Sequence, residues 1–178
     1  MLQTLTRSKP LPAVYTKTRP PAASVSGLPA VRLATEADVP QCVAIAVEAH
    51  AENGIMPLDM ACVREMALRA VRGEQAVCGV IGPVGAVEAL ICLTVGRYYY
   101  TSHVHLEEIM NYCRPAYRRT KNAQALIEFA KRLALRFDVP LLIGVLSNQR
   151  TETKVELYAR RLGKPAGAYF LFHGHTGD

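Results

Sequence analysis

The chain of 178 residues lacks any unbroken apolar run near the roughly 18 residues that a membrane-spanning helix requires. Its five cysteines include no C-x-x-C pair, and they are odd in number and widely spaced. This spacing argues against both a disulfide framework and a zinc site. Since half of the residues are apolar, we expect a soluble cytoplasmic domain with a sizeable core, reduced thiols and no membrane partner.

Acidic residues are absent from residues 1–29, which carry four of the six net positive charges of the chain. This segment is rich in proline, serine, threonine and alanine, so it buries too little apolar surface to offset the entropy of ordering. We therefore predict an extended or disordered basic arm over residues 1–29 and a folded domain over residues 30–178. The arm is either a solvated leader or a segment that docks on an acidic or nucleic-acid partner.

Acidic residues are also absent between Ile109 and Ile127, where Arg114, Arg118, Arg119 and Lys121 precede an apolar-striped segment. Cations at a helix N-terminus are unfavourable, because the helix dipole places partial positive charge there. Such a cluster makes sense if an anion occupies the site, and a strand end followed by a short loop and a helix N-terminus suits phosphate. The alternative is an ordinary basic surface.

Hydrophobic periodicity predicts ten elements in the order β-α-α-β-β-β-α-β-α-β. The predicted strands cover 30–35, 76–82, 86–95, 104–113, 140–146 and 168–173, and the helices follow 35–38, run from 58 to Gly73, from about 120 to 137, and over 151–163. Antiparallel neighbours combined with a β-α-β crossover predict an α+β domain with one mixed sheet.

Three segments in this order resemble the motifs of the GNAT superfamily of acyl-CoA-dependent acyltransferases. They are "VRLATEADVPQCVAIAVEA", "YCRPAYRRTKNAQALIEFA" and "KVELYARRLGKPAG". The resemblance covers about residues 30–172. The "YRR" of the second segment also resembles the loops of some phage-type members. It implies a mostly antiparallel sheet flanked by helices. It also implies transfer of an acetyl group from acetyl-CoA to an amine acceptor, either a small molecule or a protein.

The resemblance also implies where acetyl-CoA would bind. The candidate cofactor-binding residues are Cys113, Arg114, Arg118, Arg119, Thr120, Lys121, Asn122 and Ala123. Two of them depart from the family pattern, because Arg119 and Lys121 stand where glycines are common. Lys121 is compatible with binding if its backbone dihedrals are ordinary and its side chain points outward. A homodimer is left open.

The catalytic residues implied by the resemblance are Tyr158, as the general acid, and a glutamate on the strand before the loop. Glu107 and Glu108 are the candidates, and we expect only one to face the cleft because adjacent strand residues point to opposite faces. Glu108 is the favoured one. The pairs His103/His105 and His173/His175 lack thiolate companions, so no metal site is assigned. The alternative function is a non-catalytic GNAT-fold binding protein, whose basic arm docks on an assembly or on nucleic acid.

Overall fold

The computed structural model of the protein describes residues 27–147 and 151–170. Its helices are α1 (Val39–Asn53), α2 (Met60–Arg72), α3 (Asn122–Phe137) and α4 (Thr151–Leu162). Its strands are β1 (Arg32–Leu33), β2 (Ala76–Ile81), β3 (Ala89–Gly96), β4 (His105–Cys113) and β5 (Leu141–Leu142). The strands form one sheet in the order β1-β2-β3-β4-β5, in which β5 alone among them pairs in parallel. The predicted α+β class with a mixed, mostly antiparallel sheet is confirmed.

The central strands β2 and β3 are covered on both faces, as their continuous apolar sequences predict. One face packs against α3, whose buried stripe includes Leu126, Phe129 and Ala130. The opposite face packs against α1 and α2 through a second cluster, to which the helices contribute Ile45, Ala49 and Ala70. Gly79 on β2 permits the close approach of α3, since a Cβ atom there would lie 2.5 Å from Cε1 of Phe129.

A buried carboxylate joins β1, the start of α1 and the β2–β3 turn. Asp38 is fully buried and accepts two hydrogen bonds from the Arg32 guanidinium, at 2.7 and 2.9 Å. It also accepts bonds from the Thr35 amide at 2.8 Å, the Thr35 hydroxyl at 2.8 Å and the Gly85 amide at 2.9 Å. The Arg32 guanidinium beside it holds the pKa of Asp38 well below its usual range.

We expect Asp38→Asn to lower the free energy of unfolding by about 2 kcal/mol, the scale of charge-assisted hydrogen bonds lost from a carboxylate. Because the folded pKa is depressed, the contribution of Asp38 is present above the unfolded value of roughly 4 and is lost as the pH falls through the folded value. Urea unfolding at pH 7 and at pH 3 measures both effects. Asp59→Asn is the control, since Asp59 is an exposed cap of α2 and should cost no more than about 1 kcal/mol. Equal losses in the two variants would contradict the argument.

The two edge strands of the sheet are shorter than the sequence predicts. Residues 30–35 contribute only a two-residue strand, and the strand expected over 140–146 is limited to β5. Beyond Leu142 the pairing with β4 ends, and residues 143–146 pair with no strand in the part of the chain that the structure describes. Of the strand expected over 168–173, residues 168–170 have no regular structure, and 171–173 lie outside the described residues.

The predicted basic arm lies mostly outside the described residues. Its last three residues, 27–29, are described, and Leu28 packs against the core cluster on the α3 face of the sheet. Within the described part of the chain, none of the helices combines the length and apolarity needed to cross a bilayer.

Candidate active site

A cavity of about 1400 Å³ opens where β4 and β5 separate, and we call it the cleft. Parallel pairing between these strands stops at Glu107 and Leu142. On the other side of β4, the pairing register shifts: Leu93 pairs with Glu108 but Cys92 pairs with Met110, which leaves Ile109 as an extra, bulged residue. The divergence and the bulge together expose the middle of β4 to the cleft. Helix α4 and the connection between α1 and α2 complete its walls.

Tyr158 of α4 lines the cleft, as the sequence motif implies. Its hydroxyl oxygen accepts a hydrogen bond of 3.1 Å from the side-chain amide of Asn111 on β4. Because Asn111 uses the oxygen as an acceptor, the phenolic proton remains available to another group. Burial, and then the proximity of Glu108, raises the pKa of Tyr158 above its usual value. The phenol is therefore protonated at neutral pH and is suited to donating a proton.

Glu108 of β4 also lines the cleft and is partly buried. Desolvation raises the pKa of Glu108 to about 7, with the nearby Lys154 opposing the shift. A carboxyl group that titrates near neutrality can exchange protons with a bound reactant at physiological pH. This is the property that a general base requires.

Glu107 lines the same cleft as Glu108. Parallel pairing between β4 and β5 ends at Glu107 and Leu142, and both residues adjoin the opening between the strands. The side chain of Glu107 is about half exposed, and its Oε2 atom lies 3.7 Å from Nε2 of the buried His105. The two carboxylates thus differ mainly in burial.

Lys154 is a cleft residue that the sequence analysis missed. Its ammonium group donates hydrogen bonds to Oδ1 of Asn53 at 3.1 Å and to the Ser147 hydroxyl at 2.7 Å. Burial lowers the pKa of Lys154. It precedes Tyr158 by four residues on α4, so helical spacing places both side chains on one face. That spacing was the signal that could have identified it.

The side chain of Arg118 points back into the domain. Its Nη2 atom lies 2.6 Å from Oε1 of Glu52, its Nε atom donates to the Cys113 carbonyl at 3.0 Å, and its guanidinium covers the Tyr112 ring. Arg114 is engaged in the same way, with Glu48, Gln41 and the carbonyl of Val87. Two of the four cations in the predicted phosphate-binding loop are therefore held by side chains of α1.

The remaining loop residues surround the N-terminus of α3. Lys121 has ordinary dihedrals, and its ammonium group donates to the Gly27 carbonyl at 3.1 Å. The Thr120 hydroxyl accepts from the amide of the buried Asn122, at 3.2 Å, and Ala123 follows in the first turn. The thiol of Cys113 donates to the Tyr117 carbonyl at 3.0 Å.

Arg119 is exposed and has a φ of 64°, the left-handed conformation that favours glycine. Of the three guanidinium groups in this loop, that of Arg119 is therefore exposed near the N-terminus of α3, whereas those of Arg114 and Arg118 are held by α1. The loop lies at the end of β4, next to the residues that line the cleft.

The histidine pairs show no metal-binding arrangement in the described residues, where no group of three histidine, cysteine, aspartate or glutamate side chains could hold an ion. His173 and His175 lie outside them. All five cysteines are free thiols, and Cys42, Cys78 and Cys92 are buried.

Comparison with known proteins gives a match in structure but not in sequence. No protein-family model and no curated protein matches the chain. An integron cassette protein from the mobile metagenome of Cole Harbour Salt Marsh superposes with a TM-score of 0.62 at 20% identity, over 83% of this chain and 91% of that one.

Two further solved structures are acetyltransferases. A predicted acetyltransferase from Clostridium acetobutylicum, solved with acetyl-CoA, gives a TM-score of 0.65 at 14% identity, over 82% of this chain and 98% of that one. An aminoglycoside acetyltransferase from an uncultured soil metagenomic sample, in complex with trehalose, gives 0.57 at 11% identity, over 83% and 94%. The chain has the fold of the GNAT acetyltransferases, as the three sequence motifs imply.

Proposed function

We propose that the protein transfers an acetyl group from acetyl-CoA to the amine of a small-molecule acceptor. The observation that carries this proposal is the convergence on one cleft of Glu108, Tyr158 and the edge of β4 from which β5 separates, beside the loop that leads into α3. Solved structures of this fold that are named acetyltransferases, one of them with acetyl-CoA, support the same reaction. The proposed catalytic residues are Tyr158 and Glu108, with Glu107 as the alternative base.

The roles follow from the properties of each group. Glu108 removes a proton from the acceptor ammonium or amine, directly or through one water, because its pKa near 7 suits a base at neutral pH. The amine then attacks the thioester carbon. Backbone N–H groups of β4 beyond Glu107, on the edge that β5 leaves, can donate to the oxyanion that forms. When the carbon–sulfur bond breaks, Tyr158 gives its proton to the departing thiolate. The products are an amide and free CoA.

The loop before α3 fits the phosphates of acetyl-CoA, although not through the side chains of Arg114 and Arg118. The first-turn amides of α3 lack intrahelical partners, and the dipole favours an anion there. Arg119 adds an exposed guanidinium. In this proposal Arg114 and Arg118 stabilise the conformation of the loop and do not contact the phosphates, because their guanidinium groups are paired with Glu48 and Glu52. Cys113, Thr120, Lys121, Asn122 and Ala123 shape the backbone that approaches the phosphates.

Arg119→Gly should change stability and cofactor affinity in opposite directions. Removing a side chain from a left-handed position should raise the free energy of unfolding by about 0.5–1 kcal/mol. Removing the guanidinium should weaken acetyl-CoA binding about tenfold, the scale of one charge-assisted hydrogen bond. Urea unfolding and calorimetric titration with acetyl-CoA measure the two effects.

Arg119→Asn is the matched variant, because asparagine tolerates the left-handed region but carries no charge. It should show the same tenfold loss of affinity. If both variants bind acetyl-CoA as tightly as the wild-type protein, Arg119 does not contact the cofactor.

The decisive test of the proposed function is calorimetry with acetyl-CoA followed by an amine screen that detects released CoA. We expect saturable binding and acceptor-dependent release. Binding without release for any amine would favour the alternative of a non-catalytic binding protein. Absence of both would exclude the acetyltransferase.

A further inference from the structure

We propose that the acceptor of this enzyme is a primary amine attached to an apolar body, and that the apolar body binds in the part of the cleft beneath α1 and α2. We call this part the inner chamber, and it is lined by Cys42, Ala46, Met66, Ala67, Cys78 and Cys92. This inference rests on the proposed function, since it identifies the class of molecule that would be acetylated.

The walls of the inner chamber are small or flexible side chains: Cys42, Cys78 and Cys92 form its buried floor and belong to the core cluster on this face of the sheet, whereas Ala46, Met66 and Ala67 are partly buried. Cys42 and Ala46 come from α1, Ala67 comes from α2, and Cys78 and Cys92 are cross-strand partners on β2 and β3. Burial raises the pKa of Cys92 to about 12, so this thiol is neutral at any pH at which the enzyme would be assayed. Buried thiols and alanines behave as apolar surface. The chamber therefore favours a hydrocarbon group.

The inner chamber is continuous with the proposed reaction centre. Met110 pairs with Cys92 across the β4–β3 ladder and lies two residues after Glu108 on β4. Both Met110 and Glu108 line the cleft. An amine positioned at Glu108 can thus extend its substituent past Met110 into the chamber.

The charges of the cleft do not suit a polycationic acceptor. Its acidic lining residues, among the described residues, are Asp59, Glu107 and Glu108. Asp59 accepts hydrogen bonds from the amides of Ala61 and Cys62 in the first turn of α2. Lys154 adds positive charge close to Glu108. The residues that line the inner chamber include no carboxylate, so a second ammonium group on the body of the acceptor would have no counter-ion there.

The test is a series of straight-chain primary amines from propylamine to octylamine, assayed with acetyl-CoA at pH 8. These amines have nearly equal basicity, so differences in kcat/KM report the binding of the chain. We expect kcat/KM to rise about threefold to fourfold per added methylene until the chamber is full. Spermidine, a polycation about as long as octylamine, should be a poorer substrate than octylamine. A flat series, or a preference for spermidine, would overturn the inference.

A matched pair of variants tests whether the dependence of kcat/KM on chain length arises in the inner chamber. Ala46→Leu places a larger side chain in the chamber, and it should lower kcat/KM for hexylamine at least tenfold while propylamine changes less than twofold. Ala51→Leu makes the same change on an exposed position of α1 outside the cleft, and should leave the whole series unchanged. Ala67→Leu on α2 is the second chamber variant if Ala46→Leu does not fold.

The same assay separates the two proposals. Activity with amines but no dependence on chain length would overturn the apolar acceptor and leave the acetyltransferase standing. No activity with any amine would overturn both. Rates that rise with acyl length from acetyl-CoA to hexanoyl-CoA, over a flat amine series, would assign the chamber to the acyl chain and overturn the inference.

Discussion

Tyr158→Phe is expected to lower kcat by about 10²–10⁴-fold while the dissociation constant for acetyl-CoA stays within about twofold. A positioned general acid contributes on this scale, and the substitution removes one hydroxyl group with little volume. Binding of acetyl-CoA would rest on the loop before α3 and on the apolar walls of the cleft, none of which involves the phenolic oxygen. The measurement is steady-state CoA release beside calorimetric titration.

The effect of Tyr158→Phe on stability can be separated from its effect on catalysis, because the hydrogen bond at stake is the one with Asn111. In the wild-type protein the Asn111 amide donates to the Tyr158 oxygen, so the variant loses one hydrogen bond and a proton donor. Loss of the bond alone would appear as a modest loss of stability, of about 1 kcal/mol. Tyr100→Phe is the control, because Tyr100 is exposed and outside the cleft. Equal rates for the wild type and Tyr158→Phe would remove Tyr158 from the mechanism.

The elements that the sequence predicts best are those whose pattern is local. Helix α3 carries apolar residues at every third and fourth position, and Gly73 ends α2 in the left-handed conformation that its position predicts. The hairpin between β2 and β3 follows from two apolar runs around "GPVG". In each case the information lies within one segment, so one sequence suffices.

The features that the sequence does not predict depend on pairs of distant residues. Arg118 is held by Glu52, which lies 66 positions earlier, and nothing in the spacing of charges identifies that partner. The early end of β5 and the bulge at Ile109 are properties of how two strands diverge. Both features lie in the part of β4 where Glu107 and Glu108 line the cleft.

Glu52 links the loop to the strand that carries the proposed base. Its Oε1 atom accepts the Tyr112 hydroxyl at 2.6 Å as well as the Arg118 guanidinium. The next residue, Asn53, holds Lys154 of α4. The C-terminal turn of α1 therefore fixes the loop, β4 and α4 relative to one another. This arrangement brings Tyr158 of α4 and Glu108 of β4 to one cleft.

Glu108→Gln is expected to lower kcat by about 10²–10³-fold at pH 8, since the amide cannot accept a proton from the acceptor amine. In the wild-type enzyme kcat/KM should rise with pH through about 7, the pKa to which desolvation raises Glu108. The variant should lose this acid limb. Glu107→Gln is the control on the neighbouring residue, and the limb near pH 7 should persist in it. A limb that disappears only in Glu107→Gln would transfer the role of base to Glu107.

The same substitution should alter how stability depends on pH, which provides a readout that needs no acceptor. The folded pKa of Glu108 is raised above the unfolded value of roughly 4.3. Its favourable contribution is therefore fully present below the unfolded pKa and is lost as the pH rises through about 7. Urea unfolding at pH 5 and pH 8 should show the wild type losing stability relative to Glu108→Gln over this interval. A constant difference between the two proteins would show that Glu108 is ionised throughout, and would leave it without the pKa that a neutral-pH base needs.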